Sequence, residues 1–347
     1  MATTSASRGA GAYLTGVGEF LPGAPVDNGT MADLLGLNAD WIDHFIGNRT
    51  RHYAVQIGTG TARYSLAQLA ERAARGALER AGTASGDIEF IVMATATPDH
   101  LMPATVNTVA DLLGINLIPT YQIQSGCAGA VQALDVARLL VDSGRHVTGL
   151  VIAADITRKH LGLDRSLTDR PAAELVNAVL FGDGAGAAVI SSRPGPRSLA
   201  IRAVLNELTG LGRAPGQTVE WFGLAEPAGD RPAVLEDYKT IEREVPVMAT
   251  EIVTRLLDEL DWSAEDVAYL LPPQLSGRMT AQIVDRIGLP AKAISRVDTT
   301  GNTGNALPLL QLAQLFDVAG PGERALVVAV ESSKWIKAGL GLERVAR

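Results

Sequence analysis

Three short segments of the first half of this chain recur in the second half, in the same order and at nearly the same spacing. The recurring pairs are residues 87–92 (DIEFIV) with 266–271 (DVAYLL), 126–129 (GCAG) with 301–304 (GNTG), and 144–146 (GRH) with 322–324 (GER). The offsets are 179, 175 and 178 residues. Self-similarity at a long, constant period indicates a repeated architecture, and chance likeness between α/β units is the alternative. We predict an internal duplication, with halves at residues 1–192 and 193–347.

Each half is predicted to be an α/β unit. Apolar residues recur at helical spacing over 65–81, and the apolar runs 88–93 and 147–154 have the length of buried strands. Between these runs, a short strand at 121–124 leads through a Ser-Gly turn into a helix at 128–141. Strands that are apolar throughout and alternate with helices are typical of a sheet buried between helical layers.

A Pro-, Gly- and charge-rich stretch at residues 212–246 is predicted to be a surface loop that leads into a helix at 248–260. It follows the predicted join between the halves, near residues 191–196. The loops over residues 205–231 are expected to set the size of any substrate pocket.

Composition excludes several classes of protein. The chain has 347 residues, and 47% are hydrophobic, which suffices for a large globular core. Its 30 basic against 38 acidic residues argue against general binding to nucleic-acid phosphates. A single Cys permits no internal disulfide, no cluster has metal-ligand spacing, and neither a secretory signal nor a membrane-spanning run is apparent. We expect a cytoplasmic protein without a metal and without a nucleic-acid or membrane partner.

The single cysteine, Cys127, lies where a predicted strand turns into a predicted helix. A lone cysteine is most often a small buried apolar residue. Here the flanking Gly126, Ala128 and Gly129 leave room for a substrate, and the unpaired N–H groups of a helix N-terminus stabilise a thiolate. We therefore predict that Cys127 is a nucleophile whose pKa is lowered by the helix.

The chain resembles the ketoacyl-acyl-carrier-protein synthase III branch of the thiolase-like superfamily over nearly its whole length. The resemblance is carried by residues 41–42 (WI), 47–51 (GNRTR), 127–129 (CAG), 181–187 (FGDGAGA) and 301–303 (GNT). It implies a duplicated, five-layer α/β/α/β/α fold with pseudo-twofold halves, usually in a homodimer. It also implies that the cysteine accepts an acyl group from coenzyme A or an acyl carrier protein. Of the family's catalytic Cys, His and Asn, Cys127 and Asn302 match two.

The family's histidine is not matched. It lies in a Pro-His-Gln-Ala-Asn-x-Arg motif, and the corresponding run here is residues 272–278 (PPQLSGR), with Pro273 at the histidine position. All five histidines precede residue 161. His100, beside Asp99, is a candidate substitute base, although we expect that loop to be structural. Decarboxylative condensation needs donors for an enolate oxygen, and loss of one such donor costs about 10²–10³ in rate.

We therefore predict an acyltransferase rather than a condensing enzyme of the usual kind. The resemblance implies an oxyanion hole made by the backbone N–H groups of Cys127 and Ser333, where residues 331–335 (ESSKW) replace a glycine-rich run. The enzyme is expected to move a preassembled acyl group, for example an aromatic polyketide, from a carrier-protein or coenzyme A thioester to a second carrier or a small molecule in antibiotic biosynthesis. The alternatives are a decarboxylating 3-oxoacyl synthase and a noncatalytic partner subunit.

The resemblance also assigns binding residues. Arg278 matches the arginine that docks the acidic carrier protein, with a solvated surface charge as the alternative. Trp41 matches the residue that stacks on the adenine of coenzyme A, but Phe45 replaces the arginine of that clamp. Arg158, with Lys159, is a candidate contact for a substrate phosphate near the entrance, with a solvated loop as the alternative. The resemblance places Met102 at the dimer interface, where it touches the partner's acyl pocket. No cofactor is expected beyond the acyl thioester that is the substrate.

Overall fold

A computed structural model describes residues 11–160, 167–168, 172–221 and 233–346. The strands are β1 (Tyr13–Phe20), β2 (Val26–Asp27), β3 (Thr50–Arg51), β4 (Ile91–Thr95), β5 (Thr120–Gln124), β6 (Thr148–Asp155), β7 (Gly184–Ser191), β8 (Leu199–Leu208), β9 (Gln217–Val219), β10 (Val234–Glu236), β11 (Val267–Leu271), β12 (Lys292–Ala293), β13 (Arg324–Glu331) and β14 (Ile336–Arg344). The helices are α1 (Asn28–Leu35), α2 (Ala39–Phe45), α3 (Leu66–Ala81), α4 (Thr105–Leu112), α5 (Gly129–Asp142), α6 (Ala172–Leu180), α7 (Tyr238–Leu260), α8 (Gly277–Ile287), α9 (Val297–Thr300) and α10 (Leu307–Val318). Short 3-10 turns lie at Ser85–Asp87, Thr157–Lys159, Ala264–Asp266 and Gly304–Ala306.

The strand order repeats between the two halves. The first half has the order β5-β4-β6-β7-β1, and the second has β12-β11-β13-β14-β8. In both halves the first three strands of that order run parallel and the fourth runs antiparallel to its neighbours. The units join where Tyr13 and Leu14 pair with Ala200 and Leu199. The predicted α/β duplication is therefore confirmed, while the assignment of two domains divided after residue 192 stays a prediction.

Three apolar clusters show how the layers stack. The central cluster contains α5 and α10 with one face of both sheet halves, for example Leu134 and Leu312. A second cluster packs α3 and α4 on the other face of the first half, and a third packs α7 and α8 on the other face of the second half. Alternate strand residues separate between clusters: Val92 faces the centre, and Ile91 and Met93 face α3. This is the predicted α/β/α/β/α order.

The start of α7 differs from the prediction. The stretch 212–246 is not one surface loop, because it contains the hairpin of β9 and β10 and the first turns of α7. Asp237 caps the helix by accepting a hydrogen bond from the Thr240 N–H at 3.1 Å. Pro246 lies inside α7, where buried neighbours such as Val245 and Met248 provide enough apolar contact to offset its missing N–H. Within the described ranges, no helix is long and apolar enough to cross a membrane.

Candidate active site

Cys127 lies in the turn between β5 and α5, and residues of the second half hold this turn in place. Glu331 Oε2 accepts hydrogen bonds from Ser125 Oγ and Gly126 N, both at 2.8 Å. Asn305 Nδ2 donates to the Ser125 carbonyl at 2.7 Å. Cys127 as a whole residue is half-buried. The cysteine turn of one half is therefore positioned by polar groups of the other.

Asp155, at the end of β6, links residues 95–97, at the end of β4, to Asn305 of the second half. Its Oδ1 accepts hydrogen bonds from Thr95 Oγ1, Ala96 N and Thr97 Oγ1 at 3.0, 2.8 and 3.1 Å. Its Oδ2 accepts from the backbone N–H and the side-chain amide of Asn305, both at 2.8 Å. Asp155 is 3% exposed, so these five bonds are shielded from water. They fix Asn305, which in turn holds the cysteine turn.

Two glycines allow this close approach. A Cβ at Gly129 would lie 2.1 Å from Asn305 Oδ1, and a Cβ at Gly126 would lie 3.1 Å from the carboxyl carbon of Glu331. The first distance is a clash, and the second is tighter than ordinary contact. The small residues around Cys127 therefore serve contact between the halves as well as substrate access.

Cys127 lines a cleft of about 290 Å³, a volume that includes space open to solvent. Its lining residues are Cys127, Pro273, Gln274, Leu275, Gly304, Leu307, Pro308, Val328, Ala329 and Val330. Pro273 therefore shares the cleft with Cys127. Asn302 is 3% exposed, and its Oδ1 accepts a hydrogen bond at 3.0 Å from the N–H of Gly304, which is one of the lining residues. Asn302 thus lies directly behind the cleft wall.

No lining residue of this cleft is a histidine. The amide of Gln274 is held by backbone groups: its Nε2 donates to the Ile294 carbonyl at 3.3 Å, and its Oε1 accepts from Arg296 N and Val297 N at 2.9 and 2.7 Å. His100 is exposed and lines a separate surface pocket. The adjacent Asp99 caps α3, accepting hydrogen bonds from the N–H groups at its first two positions at 3.0 and 2.9 Å.

The electrostatics of the thiol differ from the prediction. The pKa of the Cys127 thiol is raised to about 12. Burial is the largest cause, and the negative charges of Glu331, Asp155 and Glu236 follow in that order. The predicted lowering by the helix N-terminus is therefore wrong. A helix terminus contributes only about half an elementary charge, whereas three carboxylates and the surrounding protein atoms act in the opposite direction. A raised pKa favours the protonated thiol at neutral pH, so an attack by Cys127 on a thioester would require a proton acceptor.

A second cleft, of about 1060 Å³ including space open to solvent, shares the lining residue Leu275 with the first. Trp41, Phe45, Tyr238 and Arg278 lie in its wall. The rings of Trp41 and Phe45 lie 6.3 Å apart between centroids. Arg278 is exposed at the first turn of α8.

Two predicted binding residues lie elsewhere or are not described. Met102 is 88% exposed and is not in the wall of either cleft within this chain. The backbone of Arg158 lies in the 3-10 turn Thr157–Lys159, but its side chain is outside the described part of the structure.

Ser333 is linked to the cysteine turn through Glu331, which the sequence analysis did not single out. Its Oγ donates a short hydrogen bond to Glu331 Oε1. The predicted use of the Ser333 backbone N–H as an oxyanion donor stays a prediction. Glu331 itself has no assigned role in the sequence interpretation. The one signal for it is an acidic residue that ends the otherwise apolar buried strand β13.

A second polar cluster lies within electrostatic range of the thiol. Gln217 Nε2 donates a short hydrogen bond to Glu236 Oε1, and Tyr238 Oη donates one to Asn177 Oδ1. Burial raises the pKa of Glu236. Sequence reasoning also missed this cluster, because it depends on the β9–β10 hairpin that was predicted to be a loop.

A duplicated mixed sheet with a cysteine at a strand-to-helix turn, facing a cleft from the other half, defines a thiolase-like enzyme. Residues 121–206 match the family 3-oxoacyl-[acyl-carrier-protein] synthase III, and residues 257–332 match its C-terminal part. The chain belongs to this family. Its members are condensing enzymes that use acyl-carrier-protein substrates.

Several relatives cover nearly the whole chain. Beta-ketoacyl-[acyl-carrier-protein] synthase III 3 of Streptomyces coelicolor is 33% identical over 91% of this chain and 92% of its own length. Among solved structures, the tetronic acid condensing enzyme AbyA1 is 49% identical, with a TM-score of 0.93 over 96% of this chain and 99% of that one. The priming β-ketosynthase of the R1128 polyketide biosynthetic pathway is 26% identical, with a TM-score of 0.83 over 98% of each chain.

Proposed function

We propose that this protein is a polyketide-pathway acyltransferase that loads an acyl group onto Cys127 and transfers it without decarboxylation. One observation carries the proposal: Pro273, at the position of the family's histidine, lines the cleft that contains the nucleophile. Proline offers neither a side-chain donor nor an N–H. An enolate formed by loss of carbon dioxide would lack that donor here, whereas an acyl-enzyme needs only the thiol, an oxyanion hole and space.

The likeness to a tetronic acid condensing enzyme favours one class of acceptor. A tetronic acid ring forms from a 2-hydroxyacyl thioester and a 3-oxoacyl thioester through one C–C bond and one C–O bond, with release of both thiols. The carbon between the two carbonyl groups of a 3-oxoacyl thioester is already acidic, so it becomes a nucleophile without losing carbon dioxide. We propose such an acceptor for the Cys127 acyl-enzyme. Transfer to the thiol of a second carrier or to a small molecule is the alternative.

The donor and acceptor classes are tested directly by intact-mass measurement. The protein is incubated with 2-hydroxyacyl, alkyl and aromatic carrier thioesters, and then with a 3-oxoacyl carrier. We expect a mass adduct on Cys127 that disappears when the acceptor is added, without release of carbon dioxide. Release of carbon dioxide from a malonyl carrier at a rate that depends on Cys127 acylation would instead support the decarboxylating synthase. Absence of any adduct would support the noncatalytic role.

Substitution of Pro273 by histidine is expected not to create malonyl decarboxylation. The reason is that neighbouring residues also differ from the family pattern. Leu275 and Ser276 replace the Ala and Asn of the motif, and residues 331–335 replace a glycine-rich run, so that Glu331 places a negative charge beside the thiol. The measurement is carbon dioxide release from malonyl carrier by wild type and Pro273→His. A gain of decarboxylation of about 10²-fold or more would show that the missing donor alone determines the reaction.

Charge reversal at Arg278 is expected to weaken use of the carrier protein. Arg278 is exposed in the wall of the second cleft, and an acidic carrier protein that docks there needs a basic contact. For Arg278→Glu we expect KM for the acyl carrier to rise about tenfold, which corresponds to a loss of about 1.4 kcal/mol, with kcat nearly unchanged. Arg145→Glu is a matched control, because Arg145 is exposed just before β6, at the other end of the sheet.

A short pantetheine thioester separates docking from chemistry in this comparison. Arg278→Glu should use it as well as wild type does, because the small substrate does not contact a carrier surface. An equal loss with both substrates would contradict the docking role.

We also propose a cytoplasmic homodimer in which Met102, 88% exposed in the single chain, contacts the partner subunit. Sedimentation of the purified protein tests the dimer.

A further inference from the structure

Glu331 is a buried carboxylate that lies beside the nucleophile and has no cationic partner among the described residues. It is 5% exposed and ends β13. Its two oxygens accept hydrogen bonds from Ser125 Oγ, Gly126 N and Ser333 Oγ. A buried charge without a counter-charge destabilises a fold, even when it is hydrogen-bonded. A neutral side chain would hold the turn at lower cost, so the negative charge needs a chemical reason.

The reaction supplies such a reason. Cys127 stays protonated at neutral pH, so its attack on a thioester must be accompanied by removal of the thiol proton. A carbon or oxygen acceptor must also lose a proton when it attacks the acyl-enzyme. No histidine lines the cleft, and Gln274 has no basic atom. The cleft therefore needs another group that accepts and returns protons.

Resting on the proposed acyl transfer, we propose that Glu331 and Ser333 form the proton-transfer pair of this active site. Glu331 accepts hydrogen bonds from both residues that precede Cys127, and its charge acts on the thiol more strongly than that of any other carboxylate. The other carboxylate oxygen of Glu331 accepts a hydrogen bond from the Ser333 hydroxyl. Hydrogen bonds thus join Ser333, Glu331 and the turn that carries Cys127 in one continuous chain.

The proton movements balance in both half-reactions. In acylation, Sγ forms a bond to the acyl carbon as its proton moves to Glu331, and the departing carrier thiolate takes that proton as its own bond to the acyl carbon breaks. In transfer, the acceptor proton moves through Ser333 Oγ to Glu331 as the new bond to the acyl carbon forms. The proton then moves to Sγ as the acyl–sulfur bond breaks. Each half-reaction returns Glu331 to a carboxylate, so no further reagent is required.

The other acidic groups near the thiol fit this role less well. Asp155 accepts five hydrogen bonds from fixed donors, and it lies below the turn at the end of β6. Glu236 belongs to the β9–β10 hairpin and is bound to Gln217. Neither contacts the cysteine turn directly in the described hydrogen bonds, whereas Glu331 contacts it twice.

Glu331→Gln tests the inference with little structural change. The amide oxygen of glutamine accepts the bonds from Ser125 and Gly126, and its amide nitrogen donates to Ser333 Oγ, so only the charge and the basicity are lost. Ser333→Ala breaks the outer part of the pair. Ser332→Ala, at the adjacent serine, and Glu265→Gln, at an exposed glutamate, are matched controls.

Two measurements separate chemistry from structure. Because Cys127 is the only cysteine, its alkylation by iodoacetamide can be followed as a function of pH by intact mass. The groups that set this profile are Glu331, Asp155 and Glu236. Loss of the Glu331 charge removes an effect that raises the thiol pKa, so Glu331→Gln should be alkylated at lower pH than wild type. The rate of acyl transfer should nevertheless fall, by about 10² to 10⁴-fold.

Ser333→Ala should keep the wild-type alkylation profile and lose transfer rate, while both controls should match wild type in both measurements. An unchanged alkylation profile in Glu331→Gln, or transfer within about threefold of wild type, would overturn the proton-transfer role. Failure of the proposed function is a different result, because wild type itself would then form no adduct on Cys127.

Discussion

Replacement of Cys127 by alanine is expected to abolish the acyl-enzyme and to lower acyl transfer by about 10⁶-fold, the magnitude typical for loss of a catalytic nucleophile. No second thiol exists in the chain to take its place. The side chain is small and partly exposed, and glycine and alanine surround it, so the fold should be retained. The measurement is intact mass after incubation with acyl thioesters, together with the rate of product formation.

Cys127→Ser is the matched variant in this experiment. It keeps the size of the side chain and offers a hydroxyl, which is a much weaker nucleophile at neutral pH. We expect a trace of adduct from Cys127→Ser and none from Cys127→Ala. An adduct of equal yield on Cys127→Ala would place the acyl group on another residue and would refute the proposed reaction.

Replacement of Asp155 by alanine is expected to have the largest effect on stability. Five hydrogen-bond donors lose their acceptor in a site that is 3% exposed. A buried donor left unpaired costs about 1–3 kcal/mol, and water entering the space will replace some of these bonds. We expect Asp155→Ala to lower the free energy of unfolding by at least about 3 kcal/mol, measured by urea denaturation.

The comparison with Asp155→Asn is informative, because asparagine accepts through one oxygen but places an N–H₂ group against other donors. Its loss of stability should lie between those of wild type and Asp155→Ala. Asp285→Ala, at an exposed aspartate of α8, should change stability by less than about 0.5 kcal/mol. Unfolding of Asp155→Ala at the same urea concentration as Asp285→Ala would show that the five bonds contribute little.

The elements that the sequence predicted well are those with local signals. Helix α3 was predicted over 65–81 and forms at Leu66–Ala81, because Ser65 and Gln68 make a capping box at its start and Gly82 ends it with a φ of 63°. The repeat predicted an internal duplication, and the matching strand order of the two halves confirms it. Helix α7 was predicted ten residues short, because its apolar contacts outweigh the signal of Pro246.

The active site was predictable only in part. Cys127 and Pro273 were recognised from motifs, and the fold brings them into one cleft. The role of Glu331 was not recognised, because its partner Ser125 lies 206 residues away along the chain. The sign of the thiol pKa shift was wrong for the same reason. Local sequence shows the helix that begins after the cysteine, but the opposing carboxylates come from β6, β10 and β13.

The contacts of the cysteine turn have a consequence for how such enzymes diverge. Cys127 belongs to the first half, while Glu331 and Asn305, which hold its turn, belong to the second. The surroundings of the thiol therefore depend on residues of the second half as well as on the first half, which carries it. A chimera that joins the first half of this protein to the second half of a family relative should fold around the shared strand order. The pH dependence of alkylation of its cysteine should resemble that of the relative from which the second half was taken.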